Sequence, residues 1–529
     1  MASSLTPQAG PVPYNFMESA VVTMFGADKT GVANSSAAFI AAANALTSGG
    51  VVVIPPGKYI VEGLPIRDGL YYVGAGVGKT DGSTGTYLAL PAVPSTHMFV
   101  WDGAATGFGG GVSGCYLYGG GTTTYDCLDV SAATQMHRFC IEQNMIRGFR
   151  RGYSGSADDR SVLIQFNNFW DCTVGVYVPN NHPQFTGWND YRDCTYGLQG
   201  KLVDAKVVGQ NFAYCDYGVA PINTTSYPGR VQFNGCSFAF CAVDGLTIGP
   251  QCVVSGCLII PPASGGVSGI RLIGGNSTIE GCVFDSDGGT WSEGCISMDP
   301  DYRSTAVNGT AITGNSFRVE STTVIYHKAS AAGRDISSLT CSNNTIYDCG
   351  SLVRRSGNTY GIMSYSTFNG NTFRYEGSTL TSTLTGTITF TNGSTAVTGV
   401  GSAFTTQLRI GDLIRLSTDA DTTAGWRRVS AIASDTALTL SAAYGATGGA
   451  GTGYATRDVI HITNNNTVGN VVCNNNIAIY SDTITRAGYG IGGQLGQSTV
   501  VGNYVRRGLG AVDTASSGSA QIANNVNQT

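Results

Sequence analysis

The carboxylates of this chain are few, and they are densest between residues 285 and 303. That stretch combines five acids with an indole, a phenol and a guanidinium: Asp285, Asp287, Glu293, Asp299, Asp301, Trp291, Tyr302 and Arg303. Two carboxylates roughly 5–9.5 Å apart can supply the acid and the base, or the acid and the nucleophile, that cleave a glycosidic bond. Tryptophan adds a flat apolar face for a sugar ring. The stretch is therefore the first candidate for a catalytic site.

A repeated six-residue pattern must position these acids. An apolar residue is followed by two variable residues, then by Asn, Cys or Gln, then by one variable residue and a second apolar one. This central marker recurs fourteen times, at intervals of 21 to 33 residues and one of 104: Cys115, Asn144, Asn167, Asn189, Gln210, Cys236, Cys257, Cys282, Asn315, Asn344, Asn371, Asn475, Asn503 and Asn525. A unit of this length cannot bury its own apolar face, so the pattern predicts a solenoid.

Each turn of the solenoid is predicted to hold three short strands. Residues three before and two after the marker are mostly apolar and are predicted to point inward. The marker is placed at a bend, where Asn tolerates a left-handed backbone and can hydrogen-bond to the Asn above it. A third strand follows at glycines, as in Gly269-Ile270-Arg271-Leu272. The expected fold is all-β, a single-stranded right-handed parallel β-helix; a left-handed hexapeptide helix is the rival, but its six-residue period is absent.

Acids at one offset from the marker on adjacent turns are expected to lie about 4.8 Å apart. Asp287 and Glu320 share one such offset, and Asp285 and Arg318 share another. The predicted catalytic residues are Asp287, Glu320, Asp285, Glu293 and Asp299. The predicted substrate-binding residues are Trp291, Arg271, Arg318, Tyr302, Arg303, Trp170 and Trp188. Turn formation by residues 285–289 and capping by Asp299 are the structural alternatives.

Two further constellations could carry chemistry. Asp171 and Asp193 share an offset on adjacent turns beside Trp170 and Arg192, although the repeated Asp-Cys pair also fits a structural role. Elimination from a uronate would instead need a base such as His or Lys and a cation beside the carboxylate. The segment His327-Lys328 is the best such pair. The segment Asp158-Asp159-Arg160 is interpreted as an exposed, solvated loop.

Composition argues against several classes of protein. Only 12% of the 529 residues are charged, against about 25% in globular proteins, and the net charge of -5 argues against a nucleic-acid partner. No apolar run is long enough to span or insert into a membrane. The N-terminus lacks the basic and apolar regions of a signal peptide, so synthesis in a cytoplasm is expected. The fifteen cysteines do not form the paired C-x-x-C motifs of a zinc site. They are predicted to be reduced thiols in the core. Neither a metal nor another cofactor is therefore expected.

The N-terminal region carries a motif that resembles a known family. Residues 35–46 are Ala-rich and predict a helix capped by Asn34 or Ser35 that covers the open end of the solenoid. Phe25-Gly26-Ala27-Asp28-x-x-Gly31 precedes it, and Gly49-Gly50-Val51-Val52-x-Ile54-Pro55-Pro56-Gly57-x-Tyr59 follows it. This combination resembles the N-terminal motif of pectate-lyase-like β-helices, in the form found in bacteriophage tailspikes and capsular polysaccharide depolymerases.

The resemblance implies a homotrimeric fibre of a phage virion that binds and cleaves a bacterial surface polysaccharide, either capsule or O-antigen. The fibre would join the phage tail, directly or through an adaptor protein. An endo-acting glycoside hydrolase, a polysaccharide lyase and a receptor-binding fibre without catalysis are all compatible with the sequence.

The repeat stops between Gly377 and Arg457, where short strand patterns predict a small inserted β domain. The Gly-rich run 445–453 is interpreted as its exit linker. The expected organisation is a short arm over residues 1–20, the start of the β-helix with its capping helix over 21–110, the main β-helix over 111–377, the insert over 378–457 and C-terminal β-helix turns over 458–529. The arm is too short for a large virion anchor, which we expect to be truncated or supplied by another protein.

Overall fold

The computed structural model describes residues 18–185, 187–303, 306–319, 322–328, 335–355, 363–375, 382–408, 411–419, 425–456, 458, 460–463, 471–480, 491–494, 498–506 and 521–528. The chain divides into two compact units, Met1–Gln199 and Gly200–Thr529. Strands dominate both units. The helical segments among the described residues are Val22–Phe25, a 3₁₀ turn, and two α-helices, Ser36–Asn44 and Phe404–Gln407. None of these helices is long and apolar enough to cross a membrane.

In the first unit, three series of parallel strands wind around one core. The first sheet contains Ser19–Val21, Gly50–Ile54, Leu70–Gly74, Thr106–Phe108, Gly111–Ser113, Gln135–His137, Cys140–Glu142 and Asp159–Gln165. The second sheet contains Thr30–Asn34, Gly57–Ile60, Thr86–Ala89, Cys115–Tyr118, Met145–Arg147, Asn168–Trp170 and Asp190–Arg192. The third contains Leu64–Ile66, Phe99–Trp101, Leu128–Asp129, Arg151–Ser154 and Val174–Phe185.

The second unit repeats this arrangement. Its first sheet contains Lys206–Val208, Gln232–Asn234, Val253–Ser255, Thr278–Glu280, Ala311–Thr313, Thr340–Ser342, Thr367–Asn369, Val472–Asn474, Thr499–Val501 and Gln521–Ala523. Its second sheet contains Asn211–Ala213, Ser237–Ala239, Leu258–Ile260, Val283–Asp285, Ser316–Arg318, Thr345–Tyr347, Thr372–Tyr375, Ile477–Tyr480, Tyr504–Arg506 and Val526–Gln528. Its third sheet contains Tyr217–Ala220, Asp244–Ile248, Gly266–Leu272, Trp291–Met298, Thr323–His327, Ser351–Arg355, Ile460–Thr463 and Ile491–Gln494. Three strands per turn, paired in parallel, confirm the right-handed parallel β-helix.

The marker residues form the expected ladder, but the bend lies one residue earlier than predicted. Asn144 is buried and donates its Nδ2–H to Asn167 Oδ1 at 3.2 Å and to the Val112 carbonyl at 2.9 Å. The left-handed residues are those just before the markers, such as Gln143 with φ 57° and Phe166 with φ 58°. The marker side chain is therefore an inward-pointing hydrogen-bonding group, and its neighbour makes the bend.

One predicted marker is wrong. Asn371 donates its backbone N–H to Asn476 Oδ1 at 3.1 Å, so Asn476 occupies the ladder in place of Asn475. Asn475 instead takes the left-handed position, with φ 52°. Two adjacent asparagines satisfy both roles, so the sequence alone left the register of this turn open by one residue.

The core consists of the residues that flank the markers. Phe169 and Tyr191 stack at 5.1 Å in the first unit, and Phe212 and Phe238 stack at 5.0 Å in the second. All fifteen cysteines are free thiols, and all except Cys140 are buried. The prediction of unpaired core thiols is thus confirmed.

The N-terminal helix covers core residues of the first unit. Asn34 Oδ1 accepts the Ser36 N–H at 2.8 Å, so Asn34 supplies the side-chain cap. Phe39 on this helix is fully buried and meets Tyr59 edge-on at 5.5 Å. The helix therefore covers apolar side chains that the first turns would otherwise leave in water.

The interruption of the repeat contains an antiparallel β structure. Its strands are Ser382–Thr383, Thr387–Thr391, Ala396–Val400, Leu413–Leu416, Arg427–Ser434, Ala437–Leu440, Gly448–Gly451 and Gly453–Thr456. The interpretation of 445–453 as a linker is wrong, because Gly448–Gly451 pairs with Thr387–Thr391. Glycine fits there since Gly448 and Gly449 have φ of 77° and 133°.

Candidate functional site

The third sheet of the second unit brings three carboxylates and two cations together. Arg271 lies between Ile270 and Leu272, which point into the core, so strand alternation turns its side chain outward. Thr247 and Ser297 are its register partners on the turns before and after. This placement puts the guanidinium beside acids from the turn before it and the turn after it.

Arg271 holds these acids through short contacts. Its Nε donates to Asp244 Oδ2 at 2.7 Å and its Nη2 to Asp244 Oδ1 at 3.1 Å. Its Nη1 donates to Asp299 Oδ2 at 2.6 Å and lies 3.2 Å from Glu293 Oε2. One guanidinium therefore joins all three carboxylates and holds Asp244 through two contacts at once, which its planar fork allows and an ammonium would not.

Lys328 completes the group from the next turn. Its Nζ donates to Glu293 Oε1 at 2.8 Å and lies 3.7 Å from Asp299 Oδ2. Ser297 Oγ donates to the other Glu293 oxygen at 3.0 Å. We call Asp244, Arg271, Glu293, Asp299 and Lys328 the carboxylate cluster.

The side chains of the cluster range from buried to partly exposed. The exposed fractions of the side chains are 3% for Asp244, 10% for Arg271, 6% for Asp299, 17% for Glu293 and 38% for Lys328. Three carboxylates against two cations leave one net negative charge when all are ionised. Glu293 is thus the carboxylate of the cluster that a ligand reaches most readily.

The electrostatics keep both cations charged. Burial alone would lower the pKa of Lys328, but its hydrogen bond to Glu293 and the charge of Asp299 raise that pKa above its usual value. Burial opposes ionisation of Arg271 in the same way, and the pKa of Arg271 is nevertheless raised by its three carboxylate partners. Neither group can serve as a base near neutral pH.

Tyr302 and Arg303 adjoin the cluster. The Tyr302 backbone N–H donates to Asp299 Oδ1 at 3.1 Å, and both side chains are half-buried. Burial raises the pKa of the Tyr302 phenol, with a smaller lowering effect from Arg271. The Arg303 guanidinium lies over the Tyr227 ring, 4.2 Å from its centroid. Tyr302 therefore adjoins the cluster on its Asp299 side, and Arg303 stacks on a ring beyond it.

The predicted catalytic residues divide between two sheets. Glu293 and Asp299 belong to the carboxylate cluster, whereas Asp285 lies on the second sheet, in register with Arg318 as its offset predicted. Asp287 is exposed beyond the end of that strand. Glu320 lies outside the described residues, and its pairing with Asp287 stays a prediction.

Trp291 does not offer a stacking surface. It is 4% exposed and meets Phe284 edge-on at 6.2 Å. A side chain at Gly269 on the neighbouring turn would bring Cβ within 3.2 Å of the Trp291 ring, so glycine there leaves room for the indole. The ring fills the core next to the cluster.

The second predicted constellation lies in the first unit. Trp170 and Arg192 are register partners on the second sheet, and the guanidinium lies 5.9 Å from the indole centroid. Trp188 is 50% exposed. Asp171 and Asp193 both take left-handed backbone conformations, with φ of 52° and 53°, which fits the structural role that their repetition suggested.

Sequence reasoning missed Asp244. Asp244 and Ser268 are register partners, and each immediately precedes a glycine of the third strand, Gly245 or Gly269. Alignment on those glycines would have placed Asp244 beside Arg271. Lys328, considered only for elimination chemistry, turns out to belong to the same cluster as the hydrolytic candidates.

A third group in the first unit has the composition of a cation site. Ligand atoms of His97, Asp126 and Asp129 lie within 4.8 Å of one another. However, Asp126 already accepts two hydrogen bonds from Arg150, both 2.7 Å, and His97 Nδ1 accepts the Asp126 N–H at 2.8 Å. A cation would have to displace the guanidinium, so we regard the group as a structural ion pair.

The segment around Asp159 also differs from expectation. It is not an exposed loop: Asp159 begins the strand Asp159–Gln165 and is fully buried. Its carboxylate accepts hydrogen bonds from Ser156 Oγ at 2.5 Å and from the Tyr153 hydroxyl at 3.0 Å. Three consecutive polar residues look like a loop in sequence, but the hydrogen bonds make burial of the middle one tolerable.

No protein-family model and no curated protein sequence matches the chain. Among solved structures, the A-module of a mannuronan C-5 epimerase from Azotobacter vinelandii is 16% identical over 67% of this chain and 95% of its own, with a TM-score of 0.41. The catalytic unit of an α-1,3-glucanase from Streptomyces thermodiastaticus is 17% identical over 69% of this chain and 70% of its own, with a TM-score of 0.40. The Dettilon tailspike protein is 11% identical over 83% of this chain and 94% of its own, with a TM-score of 0.42. Because these identities and TM-scores are low, the description of the fold is based on the strand pairing, and that of the site on the side-chain contacts.

Proposed function

We propose that this protein binds a bacterial surface polysaccharide and hydrolyses it at the carboxylate cluster. The observation that carries the proposal is the convergence of Glu293 and Asp299 on one nitrogen of Arg271, at 3.2 and 2.6 Å. Two carboxylates this close, one of them partly open to solvent, fit the pair that glycosidic hydrolysis uses. The N-terminal motif and its resemblance to phage depolymerases supply the substrate class.

The spacing favours a retaining mechanism. Two oxygens that both contact one nitrogen are closer than the roughly 6.5–9.5 Å that separates the carboxyl groups of inverting hydrolases, because those enzymes leave room for a water molecule. Asp299, held in place by hydrogen bonds from Arg271 and from the Tyr302 N–H, is suited to act as the nucleophile. Glu293 is the more exposed group. Once substrate displaces Lys328, Glu293 is suited to donate a proton to the glycosidic oxygen in the first step and to take one from water in the second.

Elimination is the second candidate function, because Lys328 lies in the same cluster. A lyase needs a neutral amine or a phenolate as base. The raised pKa values of Lys328 and Tyr302 keep both groups protonated near neutral pH, which supports hydrolysis over elimination. The products separate the two reactions, since hydrolysis yields saturated reducing ends and elimination yields an unsaturated uronate that absorbs ultraviolet light.

The deciding experiment is incubation of the full chain with purified capsular and O-antigen polysaccharides. We expect new reducing ends without unsaturated product, and retention of the anomeric configuration by NMR. Glu293→Gln and Asp299→Asn should each reduce the rate by at least about 100-fold, the usual contribution of an acid–base group. Glu280→Gln is the matched control, because Glu280 is exposed on the first sheet of the same unit. Full activity in both cluster variants would move the site elsewhere, with Asp287 and Glu320 the next pair to test.

The assembly follows from the same resemblance. We propose that three chains of 54.9 kDa associate into a fibre of a phage tail, joined directly or through an adaptor protein. Light scattering of the purified chain would give the number of copies. A monomer that still cleaves polysaccharide would separate the enzymatic proposal from the structural one.

A further inference from the structure

The strand that carries Glu293 contains a β-bulge. The strand before it in the third sheet has one residue between its paired positions Gly266 and Ser268, whereas this strand has two residues over the same length, Ser292 and Glu293. An extra residue interrupts the pairing, bends the strand and re-aims a side chain. Bulges are rare in parallel pairs and frequent beside active sites. We call Ser292 and Glu293 the bulge.

The shift in register is confined to this turn. The preceding pair of third-sheet strands, Asp244–Ile248 with Gly266–Leu272, keeps one register along its length. The pair Thr323–His327 with Ser351–Arg355, on the following turns, does the same. The sheet as such therefore does not require the extra residue, and its presence beside Glu293 calls for a local cause.

Regular alternation would turn Glu293 towards the core. Trp291 and Cys295 lie two residues before and two residues after it, and both are buried, at 4% and 0% exposed. A carboxylate on the same face as these two side chains would lie among apolar groups, which is costly for a charge. Instead, the Glu293 carboxylate accepts the Ser297 hydroxyl at 3.0 Å and lies 3.2 Å from Arg271 Nη1, on the outer face.

Gly294 makes this bulge possible. Its φ of 129° lies in a region that residues with a side chain rarely adopt. A Cβ at this position would also lie 2.8 Å from the Thr323 carbonyl oxygen and 3.1 Å from Tyr326 Cβ on the next turn. Any larger residue must therefore move the backbone next to Glu293.

We propose that the bulge is a positioning device for catalysis and that Gly294 is the positioning residue that keeps the Glu293 carboxylate out of the core. This role rests on the proposed function, because it acts through the proton donor named there. A displacement of about 1 Å can cost on the order of 100-fold in rate. Asp299 follows the regularly paired end of the strand, so loss of the bulge should leave the proposed nucleophile in place.

The test uses the full chain and a capsular or O-antigen polysaccharide that the parent cleaves. Gly294→Ala, and separately a deletion of Ser292 that removes the extra residue, should each lower kcat by at least about 100-fold while KM changes by less than about 3-fold. Gly256→Ala is the matched control. Gly256 also has a positive φ, 60°, but a Cβ there would meet nothing within 4 Å, so kcat should be kept.

A double-mutant cycle separates positioning of Glu293 from a general effect on the fold. If Gly294→Ala acts only through Glu293, adding it to Glu293→Gln should lower kcat by less than about 3-fold more, because residues that act as one unit are not additive. The pH–rate profile of Gly294→Ala should also lose its alkaline limb, as that of Glu293→Gln does. A merely structural glycine would leave the shape of the profile unchanged.

The role of the bulge is overturned if the two losses multiply, if the alkaline limb persists, or if both folded variants keep parental kcat. Circular dichroism and urea denaturation report folding. If Gly294→Ala does not fold, the Ser292 deletion decides alone, and failure of both to fold would show that the bulge serves the fold. Full activity in Glu293→Gln would reject the proposed proton donor as well, whereas its loss together with full activity in Gly294→Ala would reject the bulge alone.

Discussion

Asp244 and Arg271 form a two-pronged ion pair, with contacts of 2.7 and 3.1 Å, at the buried floor of the carboxylate cluster. Ser268 Oγ adds a 2.6 Å hydrogen bond to the same aspartate. Arg271 in turn contacts both carboxylates to which we assign catalysis. Asp244 is therefore a positioning residue that acts through the guanidinium.

Removing Arg271 should lower the free energy of unfolding more than removing Asp244. Asp244→Asn leaves Arg271 with two other carboxylates, so we expect a loss of about 1–3 kcal/mol in the free energy of unfolding. Arg271→Met leaves three carboxylates with Lys328 alone, and the loss should exceed about 3 kcal/mol. Urea denaturation measures both.

The pH dependence of the stability lost in Arg271→Met shows whether unbalanced charge causes that loss. Without Arg271 the three carboxylates repel one another, and protonation at low pH relieves the repulsion. The deficit of Arg271→Met should therefore shrink as the pH falls towards 4. A deficit that is the same at every pH would mean that lost packing, and not unbalanced charge, explains the destabilisation.

Lys328 should tune the alkaline limb of the activity profile. Its ammonium lies 2.8 Å from Glu293, the proposed proton donor. Lys328→Met removes a neighbouring cation that favours loss of the donor's proton, so the alkaline limb of the pH–rate profile should move to higher pH. Lys328→Arg keeps the charge and should keep the limb in place. A Met variant with an unshifted profile would remove Glu293 from the proton-transfer step.

The sequence predicts the fold well because the repeat length is itself the length of a turn. Marker spacing also gives the register of the second sheet, as Asp285 and Arg318 demonstrate. The third strand follows a loop of variable length, so an offset from the marker loses meaning there. Asp244, Arg271 and Lys328 consequently stand at different offsets although they belong to one cluster.

Burial was the other property that the sequence did not reveal. Trp291 follows two glycines and a threonine, a polar context that suggested the surface. Its strand places it inward, and the room it needs comes from a glycine on the adjacent turn. Such compensation between turns depends on register, which residue types alone do not specify.

Asp159 should make the first unit less stable as pH rises. Burial raises its pKa to about 6, although hydrogen bonds from Ser156 and Tyr153 act in the opposite direction. The unfolded carboxyl ionises near 3.9, so between those values the unfolded state alone releases its proton. The favourable contribution is complete below pH 4 and is lost as pH rises through 6, a difference of about 3 kcal/mol.

Asp159→Asn should remove that component, because the amide stays neutral at every pH. Stability measured by urea denaturation between pH 4 and 8 should then fall less steeply than in the parent. Asp158→Asn, one residue away and bonded to Arg160 at the surface, is the control and should change the slope far less, because its charge has the smallest of the effects on the pKa of Asp159. Identical slopes in the parent and in Asp159→Asn would show that the buried carboxyl titrates normally.

The asparagine ladder should tolerate cysteine better than alanine. Asn167 accepts the Asn144 N–H at 3.1 Å and donates to the Ile141 carbonyl at 2.8 Å, and Asn167→Ala leaves both groups buried without a partner. Such losses cost about 1–3 kcal/mol for each group, so a decrease of about 2–4 kcal/mol is expected.

Cysteine occupies the same column in the second unit, where Cys257 Sγ donates to the Phe233 carbonyl at 3.7 Å. Asn167→Cys should therefore restore the donor to the Ile141 carbonyl but not the acceptor for the backbone and side-chain N–H groups of Asn144, and should fall between alanine and the parent in free energy of unfolding. Asn168→Ala, an outward neighbour of the same type, should change stability by less than about 0.5 kcal/mol. If cysteine proved as destabilising as alanine, the thiols of this column would be packing groups alone, and the inward hydrogen bonds would belong to asparagine only.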